Sequence, residues 1–179
     1  MKLLDRILQR WRIAKVRPFL PPGTRVLDIG SADGALFQRL PGLAADSLGI
    51  DPTLTGEIRV GGRRLLPGFF PGDMPEVPSF DAITMLAVLE HFPASAHASL
   101  REGCVRFLRP GGRVLITVPA PTVDRILEIL KALRLVDGMS LEEHHGYEVE
   151  ETARIFCPPG VQVSLSPQVS TRAEPPVCF

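Results

Sequence analysis

The sequence predicts an α/β fold, in which a mostly parallel sheet carries helices on both of its faces. Short apolar segments alternate with segments of helical periodicity along most of the chain, and this alternation indicates βαβ units. The apolar segments have the length and composition of strands that are covered on both faces.

Length and composition favour one domain that acts on a small partner. The chain has 179 residues, of which 45% are hydrophobic, enough for a core without metal or disulfide support. Lys plus Arg (20) equal Asp plus Glu (20), so the basic excess of a nucleic-acid-binding protein is absent. We expect a small-molecule substrate and no nucleic-acid partner.

The cysteines and the first twenty residues predict a cytoplasmic location. Cys104, Cys157 and Cys178 are odd in number and lack metal-ligand spacing, so we expect reduced thiols and no metal. The first twenty residues contain repeated basic side chains and no continuous apolar run, so neither a signal peptide nor a membrane span is expected.

The first predicted element is an amphipathic helix over residues 2–17, ended by Pro18. Its apolar residues recur at helical spacing and are Leu3, Leu4, Ile7, Leu8, Trp11 and Ala14. The interpretation is a helix that covers a substrate cleft and turns a basic face to solvent. Contact of that face with an anionic surface is the alternative.

The remaining elements follow in alternation. Strands are predicted at 25–29, 47–50, 80–85 and 112–118, and helices at 35–40, 94–108 and 123–135. Glycines and prolines interrupt residues 53–78, for which we predict loop apart from a short strand near 68–70.

The most informative segment is the loop that follows the first strand. An acid, Asp28, ends this strand, and Gly30 and Gly34 allow the backbone to pass close to a ligand. The next helix offers free N–H groups to an anion, and nucleotide-type ligands bind at such strand ends. A tight strand-to-helix turn without a ligand is the alternative interpretation.

A second acid follows about twenty residues later. Asp51 ends the next strand and precedes Pro52, and its carboxylate can accept hydrogen bonds from two ribose hydroxyls. Two strand-terminal acids at this spacing indicate a nucleoside ligand. A simple turn at Asp51-Pro52 is the alternative.

Residues 24–118 resemble the class I S-adenosylmethionine (SAM) dependent methyltransferase family, particularly its small standalone enzymes that act on diverse small molecules. The resemblance implies a Rossmann-like fold and SAM as the cofactor. It implies a cofactor site formed by Asp28, Gly30, Ser31, Ala32, Asp33, Gly34, Asp51, Pro52, Asp73, Met74 and Leu86.

The resemblance also implies a role for several of these residues. Asp51 is similar to the family's ribose-binding acid, and Asp73 to the acid that accepts from the adenine amino group, with Met74 beside the ring. The loop after residue 85, starting at Leu86, faces the methyl group. Ala32 departs from the family pattern, which more usually has glycine there.

Candidate general bases lie in two loops. Glu90 and His91 follow the fourth family strand, and His91 is the first choice, although a packing or capping role for it remains open. Predicted substrate-side residues of a second loop are His144, His145 and Tyr147. The arginines Arg59, Arg63 and Arg64 could contact an acidic substrate or lie solvated on the surface.

The C-terminal part departs from the family pattern. That fold normally ends in two strands, but only residues 161–165 have strand character, and the proline-rich residues after them do not. We expect the closing strand pair to be incomplete, leaving the edge beside the fifth family strand exposed and favouring a homodimer.

The sequence therefore predicts one methyltransferase domain over residues 1–179. Residues 1–22 form an N-terminal helix or lid, 23–120 the cofactor-binding core, and 121–179 the substrate side and an irregular tail. The predicted activity is SAM-dependent methyl transfer to a small molecule. Rival interpretations are SAM binding without turnover and a nicotinamide-dependent oxidoreductase. Against the oxidoreductase, its pyrophosphate-binding loop is rich in glycine, whereas this loop carries Ala32 and the acid Asp33, whose charge would repel a pyrophosphate.

Overall fold

A computed structural model describes the backbone of residues 3–117 and 162–165 and the side chains of residues 5–117. Its helices are α1 (Leu3–Val16), α2 (Ala35–Arg39) and α3 (His97–Phe107), with short 3-10 helices at Arg17–Phe19, Leu89–His91 and Ala94–Ala96. Its strands are β1 (Val26–Ile29), β2 (Leu48–Asp51), β3 (Ile58–Val60), β4 (Arg63–Pro67), β5 (Phe80–Leu86), β6 (Leu108–Thr117) and β7 (Gln162–Leu165).

The seven strands form one sheet in the order β3-β4-β2-β1-β5-β6-β7. Every neighbouring pair is parallel except β3 with β4. The chain moves from β1 outward to β2 and later returns to place β5 on the other side of β1. This reversal opens a crevice at the carboxyl ends of β1 and β5, where ligands of open α/β sheets bind.

Helices cover both faces of the sheet, which confirms the predicted α/β fold class. On one face, Leu100 and Phe107 of α3 pack against Leu27 and Ile83. On the other face, the residues of α1 and α2 pack against the alternate strand positions; they include Ile13, Val16, Leu36 and Phe37. Successive strand residues point to opposite faces, so each strand contributes to both layers.

The segment between β2 and β5 differs from the prediction. The prediction of a short strand near residues 68–70 was wrong. The strands of this segment are β3 and β4, which are joined as an antiparallel hairpin. The connecting residues Gly61 and Gly62 have φ of 57° and 82°, which suits a two-residue hairpin turn whose twist matches the strands. A glycine pair between two apolar segments is a hairpin signal and could have identified these strands.

The predicted N-terminal helix is confirmed, but three residues of its predicted apolar stripe face outward. Ile7, Trp11 and Ala14 are exposed, whereas Ile13 and Val16 are buried against the sheet. The helix therefore carries apolar residues on two faces, and the tertiary structure buries the shorter set.

The C-terminal strand prediction is confirmed at Gln162–Leu165, and the expected exposed edge was wrong. The strand β7 pairs directly with β6 in parallel, with Val114 opposite Val163, so the edge beside the fifth family strand is occupied. The predicted helix at 123–135 and the irregular tail after residue 165 lie outside the described residues. Within the described part of the chain, no helix combines the length and apolar character needed to cross a membrane.

Candidate functional site

The loop after β1 is held in a left-handed conformation at the crevice. Gly30, Ala32 and Gly34 have φ of 74°, 42° and 71°. A Cβ at Gly30 would lie 2.3 Å from Cγ2 of Val88, so only glycine fits where this loop meets the loop after β5. Ala32 is an L-residue in a region that L-residues rarely occupy. The residue in place of the family's usual glycine thus keeps a glycine-like backbone.

The carboxylate of Asp51 ties this loop to the end of β2. Asp51 is 5% exposed, and its Oδ2 accepts a hydrogen bond of 2.8 Å from the backbone N–H of Ala32. Its Oδ1 accepts from both the N–H, at 2.8 Å, and the hydroxyl of Thr53, across the exposed Pro52. A carboxylate has about four acceptor positions. Three donors from the protein already occupy it.

Asp28 lies beneath the loop, at 4% exposure, on the face of the sheet covered by α1 and α2. The hydroxyl of Thr84, on β5, donates to Asp28 Oδ1 at 2.6 Å. Burial raises the pKa of Asp28 to about 7; the Thr84 hydrogen bond opposes the rise, while the charges of Asp51 and Asp33 add to it. The site therefore presents a carboxyl group that a nearby cation would stabilise in its charged form.

Asp73 lies in a turn that follows β4. Its Oδ2 accepts a hydrogen bond of 2.7 Å from the N–H of Phe69. A Cβ added at Gly68 would lie 2.6 Å from the Cβ of Asp73. The N–H of Gly68 in turn donates to the carbonyl of Asp51 at 3.2 Å. The turn is thereby fixed against the end of β2, and Met74 packs on the core beside it.

The loop after β5 forms the other wall of the crevice. Leu86, half-buried, ends β5, and the N–H of Ala87, whose φ is 57°, donates to the carbonyl of Thr117 at 2.8 Å. Glu90 and His91 belong to the 3-10 helix that follows, where Glu90 is half-buried and His91 is exposed. The structure thus places both candidate bases after the strand that borders β1.

The inward face of α1 interacts with both walls of the crevice, by a hydrogen bond on one side and by charge on the other. Gln9 Nε2 donates to Asp33 Oδ1 at 3.0 Å, which links the helix to the loop after β1. Arg12 lies near Glu90, whose charge raises the pKa of the guanidinium together with that of Asp5, while burial has the larger, opposite effect and lowers it. The helix therefore bridges the two loops that face each other across the crevice.

The arginines considered for an acidic substrate have other partners. Arg63 is buried and donates to the carbonyls of Pro41, at 2.7 Å, and of Leu43. Arg64 makes two hydrogen bonds, of 2.8 and 2.9 Å, to the carboxylate of Glu57. Arg63 therefore supports a loop, Arg64 forms a surface ion pair, and Arg59 is exposed on β3.

Four polar residues of this region were missed by the sequence interpretation: Gln9, Arg12, Thr53 and Thr84. The spacing of Thr53, two residues after an aspartate, is a known turn signal and could have identified it. Each of the other three interacts across the crevice region with a residue 24 or more positions away in sequence, so no local pattern identifies this role. The predicted substrate-side residues His144, His145 and Tyr147 lie outside the described residues.

Comparison with known proteins adds a family to this geometry. A family model described as a methyltransferase domain matches residues 2–154. A ubiquinone biosynthesis O-methyltransferase of Alkalilimnicola ehrlichii is 33% identical over 106 residues, which cover 53% of this chain and 41% of that protein. The chain thus spans less than half the length of this curated relative.

Two solved structures share the fold. Magnesium protoporphyrin IX methyltransferase from Synechocystis, with bound SAH, has a TM-score of 0.59 at 16% identity, over 87% of this chain and 75% of that one. The SAH-bound form of CalO1, a methyltransferase in calicheamicin biosynthesis, has a TM-score of 0.51 at 20% identity, over 78% and 46%. At these identities the likeness concerns the fold alone. The family model, which spans more than half of the 179 residues, shows that this chain belongs to the methyltransferase domain family.

Proposed function

We propose that the chain binds SAM in the crevice between β1 and β5 and transfers its methyl group to a small-molecule acceptor. The observation that carries this proposal is the Asp51 carboxylate, buried at the carboxyl end of β2 and hydrogen-bonded to the left-handed loop after β1. Family membership supports the same activity. The balanced charge of the chain fits a small acceptor better than a nucleic acid.

The residues of the crevice fit the parts of SAM. Asp51 and Pro52 would receive the ribose, Asp73 and Met74 the adenine, and Gly30, Ser31, Ala32, Asp33 and Gly34 the methionine end. Asp28 supports this assignment, because SAM carries positive charges that would favour the ionised form of a buried carboxyl group. Three protein donors already occupy Asp51, so the Thr53 hydroxyl would yield its place when two ribose hydroxyls bind.

When bound, SAM supplies an electrophilic methyl group on a sulfonium, and the protein's main task is to align the acceptor with it. Leu86 and the loop after β5 would form the wall beside that methyl group. We propose His91 as the group that takes the acceptor's proton, since Glu90 lies beside Arg12 and is better placed to hold the helix α1. The substrate-side residues His144, His145 and Tyr147 remain predictions for the acceptor side.

Calorimetric titration with S-adenosylhomocysteine tests the cofactor proposal. Wild type should bind, and Asp51→Ala should lose about 1.5–3 kcal/mol, the range for hydrogen bonds to a charged group. Thr53→Ala is the matched control, because it removes a protein donor to the same carboxylate and should keep affinity within about threefold. Failure of a folded wild type to bind would refute the proposal.

Turnover needs a separate experiment. The relative named above is an O-methyltransferase, so hydroxyl compounds form the first acceptor panel. Methyl transfer from labelled SAM, reduced in His91→Ala with cofactor affinity unchanged, would support the proposed base. Binding without transfer to any acceptor would favour a SAM-binding protein without turnover, and binding of NAD in place of SAM would favour an oxidoreductase.

We also expect a cytoplasmic location and a homodimer. Cys104 is a free, buried thiol, which fits a reducing compartment such as the cytoplasm. A homodimer remains a prediction. Light scattering of the purified chain tests it directly.

A further inference from the structure

The outward face of α1 carries an apolar stripe at helical spacing. Ile7 is 49% exposed and Trp11 38% exposed, and Ala14 continues the stripe one turn later. The inward contacts of the helix, from Gln9 to Asp33 and from Ile13 and Val16 into the core, fix this orientation. Residues of this size are the ones that a helix normally turns toward a core.

Basic side chains border this stripe. Arg6, Arg10 and Arg17 are exposed, and the Nζ of Lys15 lies 5.3 Å from the ring centroid of Trp11. The acid of the described part of the helix, Asp5, interacts electrostatically with Arg12 on the inward side. Among the described residues of the helix, the outward face therefore combines exposed apolar side chains with positive charge alone.

We propose that α1 docks the protein onto an anionic lipid surface. A helix with a tryptophan-containing apolar stripe and flanking Lys and Arg lies in the membrane interface, and each basic residue near an anionic leaflet contributes about 1 kcal/mol. The charge of the face selects anionic lipid over a neutral surface.

Docking through the outward face of α1 would leave the crevice on the other side of that helix. Gln9 on the opposite side of the same helix bonds to the loop after β1, so the lipid surface and the crevice lie on two sides of one helix. Docking of α1 on lipid does not require methyl transfer.

Trp11 is the only tryptophan in the chain, so its fluorescence reports on this face directly. Vesicles of equal parts phosphatidylglycerol and phosphatidylcholine should shift its emission to the blue and sediment the protein, more weakly at high salt. Pure phosphatidylcholine vesicles should do neither. Arg6→Gln combined with Arg10→Gln should weaken sedimentation roughly 30-fold, and Ile7→Ser should weaken it without removing charge.

Matched controls lie on α3. Val105 is 53% exposed and Arg101 is exposed, so Val105→Ser and Arg101→Gln remove the same kinds of side chain from another face and should leave vesicle binding unchanged. The α1 variants should keep the wild-type affinity for S-adenosylhomocysteine, which separates this proposal from the cofactor proposal.

Three outcomes would overturn the inference. The first is the absence of binding to anionic vesicles at low salt. The second is binding that the α3 variants weaken and the α1 variants do not. The third is a protein concentration-dependent blue shift without lipid, accompanied by a dimer that Ile7→Ser dissociates, because the stripe would then belong to a second copy of the chain.

Discussion

Asp28 and Ala32 show how single residues adapt to the crevice. Asp28 is a buried acid with a raised pKa, and Ala32 is an alanine with a positive φ. Each has a hydrogen bond that offsets part of its cost: Thr84 donates to Asp28, and the Ala32 N–H donates to Asp51. The rest of each cost remains, so both residues destabilise the ligand-free protein relative to ordinary residues of their type.

The raised pKa of Asp28 makes stability depend on pH with a definite sign. The Asp28 carboxyl group binds its proton more tightly in the folded chain than in the unfolded chain. Its contribution to the unfolding free energy is therefore full below pH 3.8, falls as the pH rises to about 7, and stays low above it. Asp28→Asn should be more stable than wild type at about pH 8, by at most about 4 kcal/mol, and equal to it at about pH 4.

Urea unfolding of the ligand-free protein across this range measures the difference. Thr84→Val is the control, since loss of the donor should enlarge the decline with pH. A difference between Asp28→Asn and wild type that does not vary with pH would contradict this account of Asp28.

Ala32 should prefer to be glycine. A left-handed conformation costs an L-residue about 1–2 kcal/mol, which glycine avoids. Glycine loses about 0.5–1 kcal/mol more in backbone entropy on folding, which offsets part of this gain. We expect Ala32→Gly to raise the unfolding free energy by up to about 1 kcal/mol, measured by urea denaturation. Ala98→Gly, an exposed helical position in α3, should lower it instead. Destabilisation by both changes would show that Ala32 is not strained.

The helix α1 and the two loops of the crevice are connected by polar interactions between residues that are far apart in sequence. The helix α1 is hydrogen-bonded to the loop after β1 through Gln9, and the charge of Arg12 interacts with that of Glu90 in the loop after β5. These contacts fix which face of α1 is inside. Local periodicity predicted the helix and its bounds well, but it could not decide which of the two apolar faces is buried.

Arg12 and Glu90 should be energetically coupled. Removing one member of a partly buried charge pair leaves the other uncompensated, so Arg12→Met and Glu90→Gln should each destabilise the chain, and the double variant should lose less than their sum. We expect a coupling energy of about 1 kcal/mol from a double-mutant cycle in urea. Arg10→Met, on the exposed face of the same helix, should show a coupling to Glu90 near zero.

At the scale of the whole molecule, the sheet separates two apolar layers, and Cys104 lies inside one of them. Burial raises the pKa of its thiol to about 12, so the reactive thiolate is scarce in the folded chain. The accessibility of this thiol therefore reports on opening of the core as a whole.

Alkylation of Cys104 by iodoacetamide should follow global unfolding. At neutral pH, labelling resolved by peptide mass spectrometry should be slow, should rise with urea in step with the unfolded fraction, and should be slowed further by S-adenosylhomocysteine. A Val105→Cys variant places a thiol at the exposed neighbouring position and should label at once. Rapid labelling of Cys104 without urea would mean that this layer opens locally.

The sequence by itself determined the fold class, most strand and helix positions and the two strand-terminal acids, because periodicity, glycine position and strand ends are local properties of the chain. The tertiary structure alone decided that Thr84 faces Asp28, that the apolar stripe of α1 points outward and that β7 covers the edge of β6. The physical reason is that each of these depends on register or packing between segments distant in sequence, where several arrangements satisfy the same local pattern and only the sum of long-range contacts selects one.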